Sequence, residues 1–258
     1  MDRSTWVGRT ETTEDVVTAA PIAAMSATFD RPPERPAPGT VLPALWHWLY
    51  FLPVARQSEI GPDGHPRRGG FLPPVAQPRR MWAGSQFEFH EDLRVGDAIS
   101  RLSTIEKITE KEGRTGRLTF VRVRHEISRQ PADTPGNAAP TLAVTEFHDI
   151  VYRDMPDPNA PAPKPVVAPD NAKWQHLIEP TDVLLFRFSA LTFNGHRIHY
   201  DRKYVTTEEG YPGLVVHGPM IAMLLLNGMR DEMGDPALKR FEFRAIRPTF
   251  DINHFHVC

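Results

Sequence analysis

A single cysteine, Cys258, stands in the 258 residues, so no intrachain disulfide can form, and a reducing setting such as the cytoplasm is expected. Long apolar runs are also missing. Residues 41–54 and 214–226 are interrupted by polar residues or proline and are too short to cross a bilayer. Glu11, Glu14 and Asp15 come early and no apolar core accompanies them, so neither a secretory signal nor a transit peptide is expected. Nor is there an excess of one charge. A formal net charge of −2 offers little to nucleic acid or an anionic membrane surface. There is no glycine-rich dinucleotide fingerprint. The histidines have no carboxylate or cysteine at ligand spacing in the chain, so neither a metal nor a cofactor is expected. What remains is ordinary globular composition, 40% apolar and 24% charged, long enough for one large domain or two small ones.

Proline and glycine divide the chain. Residues 31–39 (RPPERPAPG) separate a short N-terminal helical piece from residues 42–52. In that second segment Leu45, Trp48 and Leu52 share one helical face, which predicts a buried helix. Residues 53–80 follow as a long irregular stretch, a binding loop or a loop tip. From 81 to 152 the period changes to two, and strands are predicted over 86–89, 99–107, 116–128 and 141–152. In the third of these, Leu118 and Phe120 share one parity while Val121 and Val123 share the other, leaving the buried face undecided. Residues 155–172 (MPDPNAPAPKPVVAPDNA) read as a semi-rigid proline-rich linker. After it come a predicted strand at 182–189, an irregular loop at 191–201, a helix at 219–233 and a strand at 239–247. Helix plus strands occurring twice is an α+β pattern and suggests a duplication at the level of fold.

Chemistry concentrates in the loop at 191–201, LTFNGHRIHYD, which gathers Asn194, His196, Arg197, His199, Tyr200 and Asp201. Histidine moves protons near neutrality, and an amide can hold a water or a carbonyl. The same residues also suit a solvated loop with two structural histidines. Downstream, Gly218 and Pro219 mark a helix start, since proline fits the first turn. The segment they open is apolar on nearly every side, from Met220 to Leu226, so it should be a buried central helix. A buried helix start presents unpaired N–H groups and a positive dipole end, suited to a carbonyl oxygen gaining negative charge.

Together these segments resemble the MaoC-like, type-2 enoyl-CoA hydratases of the hot-dog fold. Their S-G-D-x-N-P-L-H motif, aligned on its last histidine, falls on Thr192 to His199 here, and their H-G helix start falls on His217 and Gly218. The likeness is greatest to the mesaconyl-C4-CoA or itaconyl-CoA hydratases and the related hydroxyacyl-thioester dehydratases. Residues 42–52, GPDGHP (61–66), GGFLPP (69–74) and PRRMWAG (78–84) are similar to their first half. The resemblance implies a hydro-lyase with an α+β double hot-dog fold. It would have a non-catalytic unit at 1–154, the linker, and a catalytic unit at 173–258 whose sheet looks truncated after 247. It implies hydration or dehydration of a short acyl-CoA thioester, most naturally mesaconyl-C4-CoA or itaconyl-CoA to citramalyl-CoA. Alternatives are a 3-hydroxyacyl-thioester dehydratase of fatty-acid synthesis or a non-catalytic acyl-thioester binding module.

One position departs from the type-2 motif: Asn194 stands where that motif has aspartate. An amide cannot accept a proton as a carboxylate does. His199 is therefore expected to carry the general acid/base role and Asn194 to orient water or thioester. Gly218 at the helix end, with His217, would polarise the thioester carbonyl. Arg79 and Arg80 are candidates for the free carboxylate or CoA phosphates of the substrate, with Arg197 a further substrate contact. Arg67, Arg68, Arg244 and Arg247 are weaker candidates, and His196 and Asp201 could assist. The partner expected is an acyl-CoA thioester. A homo-oligomer is compatible with the sequence but not specified by it.

Overall fold

The computed structural model describes residues 4–113, 116–131, 139–155, 167–234 and 236–258. In chain order its strands and helices are β1 (Thr10–Val16), α1 (Ala19–Thr28), β2 (Arg79–Phe89), β3 (Ala98–Gly113), β4 (Gly116–Gln130) and β5 (Thr141–Arg153). They are followed by β6 (His176–Ile178), α2 (Asp182–Leu191), α3 (Arg202–Thr207), α4 (Gly218–Met233), β7 (Arg240–Arg244) and β8 (Phe255–Val257). Six strands form one antiparallel sheet in the order β1-β3-β4-β5-β2-β7, and β6 pairs with β8. The fold is α+β.

The alternating stretches are the strands, and β4 now has a buried face. Thr119, Val121, Val123 and Ile127 are buried: Val121 and Val123 pack with Ile105, Ile150 and Tyr152 in a small second core, and Ile127 joins the main core. Gln77 donates its amide to the Thr119 hydroxyl at 3.0 Å, and His125 on the same face lies 2.8 Å by its Nδ1 from Ser103 Oγ. Strand β1 is an exposed edge whose TETTEDV carries almost no apolar signal. Only its register against β3, Thr10 opposite Thr104, makes it a strand.

Two predicted elements take another form. Residues 182–189 are helical rather than extended. Thr181 caps α2 by accepting from the Leu184 N–H at 3.2 Å. Leu185, Phe188 and Ser189 are buried at helical spacing, whereas Val183 and Phe186 are 64% and 61% exposed. Residues 42–52 are buried as expected but hold only a 3-10 turn at Trp46–Leu49. Leu45 has φ +68° and Tyr50 is extended, so a regular helix cannot run through either. Leu45, Trp46 and Leu49 fill the core all the same.

Helix α4 carries the deepest apolar face, with Met220, Ala222, Met223 and Leu226 buried against Phe87 and Val144 of the sheet and Phe188 of α2. Gly234 ends it in the left-handed conformation. Strand β7 then joins β2, with Phe241 opposite Phe87, so residues after 172 complete the sheet built by the first part of the chain. The expected linker at 155–172 falls mostly outside the described residues. The chain end folds back on the candidate site: Val216 N–H donates to Thr249 O, and Asp251 Oδ1 accepts the Leu214 N–H.

Candidate active site

The chemistry-bearing loop leaves α2 through a tight sequence of local bonds. Asn194 N–H donates to Ser189 O at 2.8 Å, and Asn194 Oδ1 accepts the His196 N–H at 3.0 Å. The amide oxygen is thus occupied in an Asx-type turn, the kind of local bond asparagine makes readily. A 3-10 turn at Arg197–His199 follows, and then Asp201 caps α3 by accepting the Tyr204 N–H at 2.9 Å. The Arg197 guanidinium grips Asp201 Oδ2 at 2.7 and 3.0 Å, donates to Pro62 O and lies over the Tyr204 ring. Arg197 and Asp201 hold the loop in shape.

His199 is buried. Its Nδ1 lies 2.7 Å from Val215 O. A carbonyl only accepts, so Nδ1 carries the proton and Nε2 keeps its lone pair. Burial pushes this imidazole down to about 4, against the opposing effect of the Val215 carbonyl, and His65 lowers it further. It is a neutral base held in one tautomer. Its ring stacks on His217, centroids 3.7 Å apart. His217 is the residue before α4, and its Nε2 lies 2.8 Å from Ser189 Oγ.

Gly218 follows directly. A methyl group on it would sit 2.6 Å from the Trp82 ring, so only glycine lets the helix start rest on the indole. Trp82 is held in turn: its Nε1–H donates to Ser85 Oγ at 3.0 Å, and Ser85 donates to the buried Glu146 at 2.8 Å.

A second loop meets the first. In GPDGHP, Asp63 Oδ1 accepts the His65 N–H and Asp63 Oδ2 lies 3.1 Å from His65 Nδ1. Arg197 N–H donates to Asp63 O at 2.9 Å. Gly64, at φ +89°, packs so tightly on Gly195 that a methyl group would fall 1.7 Å from the Gly195 oxygen. The His65 ring lies 4.1 Å from His196, and His196 is 5.5 Å from His199. Four imidazoles therefore form a row, His65, His196, His199 and His217, with Asp63 at one end. Burial and the Arg80 charge lower His65, and burial and His65 lower His196. Burial alone would raise Asp63, but its bond to His65 outweighs this and keeps the carboxylate ionised.

The expectation that the histidines lack a carboxylate at ligand spacing is corrected by Asp63. One ligand atom each of Asp63, His65 and His196 lie within 4.8 Å of one another, compact enough for an ion, although the Asp63–His65 bond occupies an atom of each. GPDGHP by itself gives neither Asp63 nor His65 a role. The available signal was an aspartate followed two residues later by histidine in a Gly-flanked turn.

The arginines separate. Arg79 is buried, with Nε 2.9 Å from Glu209 and its guanidinium over the Tyr211 ring. Arg80 sits beside the Tyr152 hydroxyl and bears electrostatically on His65 and His196. Arg68 donates to the carbonyls of Val75, Gln77 and Pro78 and so braces its own loop. Arg67, Arg244 and Arg247 are exposed. A separate cleft of about 570 Å³ lies toward the other end of α4, lined by Leu42, Phe89, Val144, Leu226 and Met229. Met229 is eleven residues from Gly218, about 16 Å along the helix, so this cleft is not the histidine site.

Among the described residues no helix is long and apolar enough to cross a membrane. An antiparallel sheet packed on a deeply buried helix, with a buried neutral histidine beside the helix start, is the architecture of the hot-dog hydratases and dehydratases. Solved structures agree on the fold. A MaoC-like dehydratase superimposes with a TM-score of 0.67 at 12% identity, over 98% of this chain and 88% of its own. HtdX of Mycobacterium tuberculosis superimposes at 0.61 and 17% identity, over 93% and 84%. Another protein of that organism, described as a double hotdog fold, superimposes at 0.56 and 13%, over 97% and 82%. The family described as hydroxyacyl-thioester dehydratase type 2 matches residues 45–251, and the chain belongs to it. It is a hydro-lyase. The mesaconyl-C(4)-CoA hydratase of Chloroflexus aurantiacus is 46% identical over 257 residues, 99% of this chain and 88% of that protein. The mitochondrial hydroxyacyl-thioester dehydratase type 2 of Schizosaccharomyces pombe is 25% identical over 83% of this chain and 76% of its own.

Proposed function

We propose that the chain hydrates mesaconyl-C4-CoA to citramalyl-CoA, with His199 as the acid/base residue. The observation that carries the substrate is the 46% identity over nearly the whole chain to a mesaconyl-C(4)-CoA hydratase. The observation that supports the base is the His199 Nδ1 contact with Val215 O, which leaves Nε2 as acceptor.

In this reading His199 Nε2 takes one proton from a water whose oxygen forms a bond to the β carbon of the enoyl thioester. The electrons of the double bond move to the α carbon and thioester oxygen. That oxygen lies at the start of α4, where Gly218 and Met220 offer N–H groups and Pro219 has none. His199 then returns its proton to the α carbon, and the thioester carbonyl reforms. Water has been added and the imidazole is neutral again. Asn194, whose oxygen is held by His196 N–H, offers its amide nitrogen to the water or thioester. His217 packs against the base, and Arg80 is the candidate for the free carboxylate. Arg79, engaged with Glu209, is a weaker one. We assign the reaction to the cytoplasm and leave room for a homo-oligomer.

His199→Ala tests the assignment. Hydration, followed as loss of enoyl-thioester absorbance, should fall by about 100-fold or more while the fold stays intact. Turnover near wild type would remove His199 from the mechanism. A second reading is supported by the matched family's description: dehydration of a longer 3-hydroxyacyl thioester. Turnover of such a substrate, with none of the C5 dicarboxylate, would favour it.

A further inference from the structure

We propose that Asp63, acting through His65, supplies the carboxylate that this site lacks at Asn194 and balances the positive charge His199 acquires on taking a proton from water. The proposal rests on the reading of His199 as the base. It also draws the N-terminal unit, expected from sequence to be non-catalytic, into the site.

The need for an anion follows from the row itself. His199 becomes an imidazolium beside the buried His217 ring, 3.7 Å away, with Val215 O as its only described hydrogen-bond partner. The charges bearing on the row from other elements are unfavourable: Arg80 from β2 and Arg68 from the preceding loop both face His65. Asp201 is occupied by Arg197 and the start of α3. Asn194 is neutral. Among the described residues Asp63 is the carboxylate that bears on His65 and His196, and it lies within 4.8 Å of ligand atoms of both. His196 stands between that carboxylate and His199, 5.5 Å from the His199 ring, and in a buried setting little water screens the charge across it.

The geometry is built rather than incidental. Asp63 Oδ2 on His65 Nδ1 fixes the His65 tautomer, with Nε2 as the acceptor. The His65 ring lies on His196, which neighbours His199. The two loops are joined by Arg197 N–H on Asp63 O, by Arg197 on Pro62 O and by the Gly64–Gly195 contact. A loop serving only as surface would not require a glycine at both faces of such a contact. Asp63 touches neither water nor thioester in this scheme, so it is a positioning and charge-balancing residue.

The experiment measures kcat and KM for mesaconyl-C4-CoA hydration against pH in the full chain. It compares wild type with Asp63→Asn, His65→Gln, His199→Ala and the Asp63→Asn/His199→Ala double variant. Asparagine can still accept the His65 N–H, so the turn should survive. Asp63→Asn is expected to lower kcat about 100-fold with KM changed less than about threefold. Its acid limb should move to lower pH, since an imidazolium without its counter-charge forms less readily. In the double variant Asp63→Asn should add no further loss to His199→Ala. A wild-type kcat and an unmoved acid limb in Asp63→Asn overturn the proposal and leave His199 untouched. An active His199→Ala overturns the underlying reading instead. Inactivation of wild type by a chelator, reversed by zinc, also overturns it, because Asp63, His65 and His196 would then be holding an ion. Should Asp63→Asn fail to fold by circular dichroism, His65→Gln decides: the same shift of the acid limb supports the proposal, and an unmoved limb overturns it.

Discussion

The imidazole rings of His199 and His217 lie stacked, with centroids 3.7 Å apart and planes 18° from parallel. Both are buried, which lowers the readiness of each to take a proton, and His199 lowers His217 further. Two adjacent imidazolium ions in that space would repel strongly, so the pair holds at most one positive charge. The arrangement suits a base that must be free at neutral pH and charged only briefly.

A pH dependence of stability follows. His199 titrates near 6.5 when unfolded and near 4 when folded. Above 6.5 it is neutral in both states and contributes nothing to the difference. Between 6.5 and 4 the unfolded chain binds a proton that the folded one refuses. Stability should therefore fall with pH through that window, by roughly 3 kcal/mol from this group. Urea titrations at several pH values should show the slope, and His199→Gln should reduce it.

Gly218→Ala should damage both stability and rate. The added methyl meets Trp82 at 2.6 Å, so ring or helix must shift, at a cost of about 1–3 kcal/mol. Because the helix start moves with it, hydration should fall more than the midpoint of thermal unfolding predicts. Pairing the change with Trp82→Leu should restore the midpoint. A Gly218→Ala protein with wild-type midpoint and rate would contradict the close approach.

The two neighbouring arginines should separate by phenotype. Arg79→Ala leaves the half-buried Glu209 carboxylate with the Tyr204 hydroxyl in place of its ion-pair partner and opens a gap against Tyr211, and should destabilise by about 1–3 kcal/mol. Arg80→Ala should leave the midpoint nearly unchanged. It should instead raise KM for the C5 dicarboxylyl thioester relative to an enoyl thioester without the second carboxylate. Denaturation curves and paired KM values distinguish the two.

Thr181→Ala tests the helix at 182–191. The Thr181 oxygen accepts from Leu184 N–H, and its loss should cost about 1 kcal/mol. Thr181→Asp should recover most of this. Chemical denaturation of the three proteins measures it, and a neutral Thr181→Ala would count against the cap.

Strands β3 to β5, and the last four residues of β2, were legible because one face is buried and alternation then marks them. Residues 182–189 were not. VLLFRFS satisfies a period of two as well as of 3.6, and only the packing of Leu185 and Phe188 on the core selects the helix. For 42–52, burial was readable but conformation was not, since a left-handed Leu45 has no signature in composition.

From sequence alone came the family resemblance, the α+β alternation, the Asn194–His199 loop and the Gly218–Pro219 helix start, since each is encoded within a few consecutive residues. Tertiary structure alone decided the His199 tautomer, through a carbonyl sixteen residues away, and the fit of Gly218 on Trp82. It also decided that Asp63 and His65 stand beside His196. The Gly218–Trp82 and His65–His196 relationships depend on chain segments more than a hundred residues apart, and no local pattern records which distant loops a fold will bring into contact.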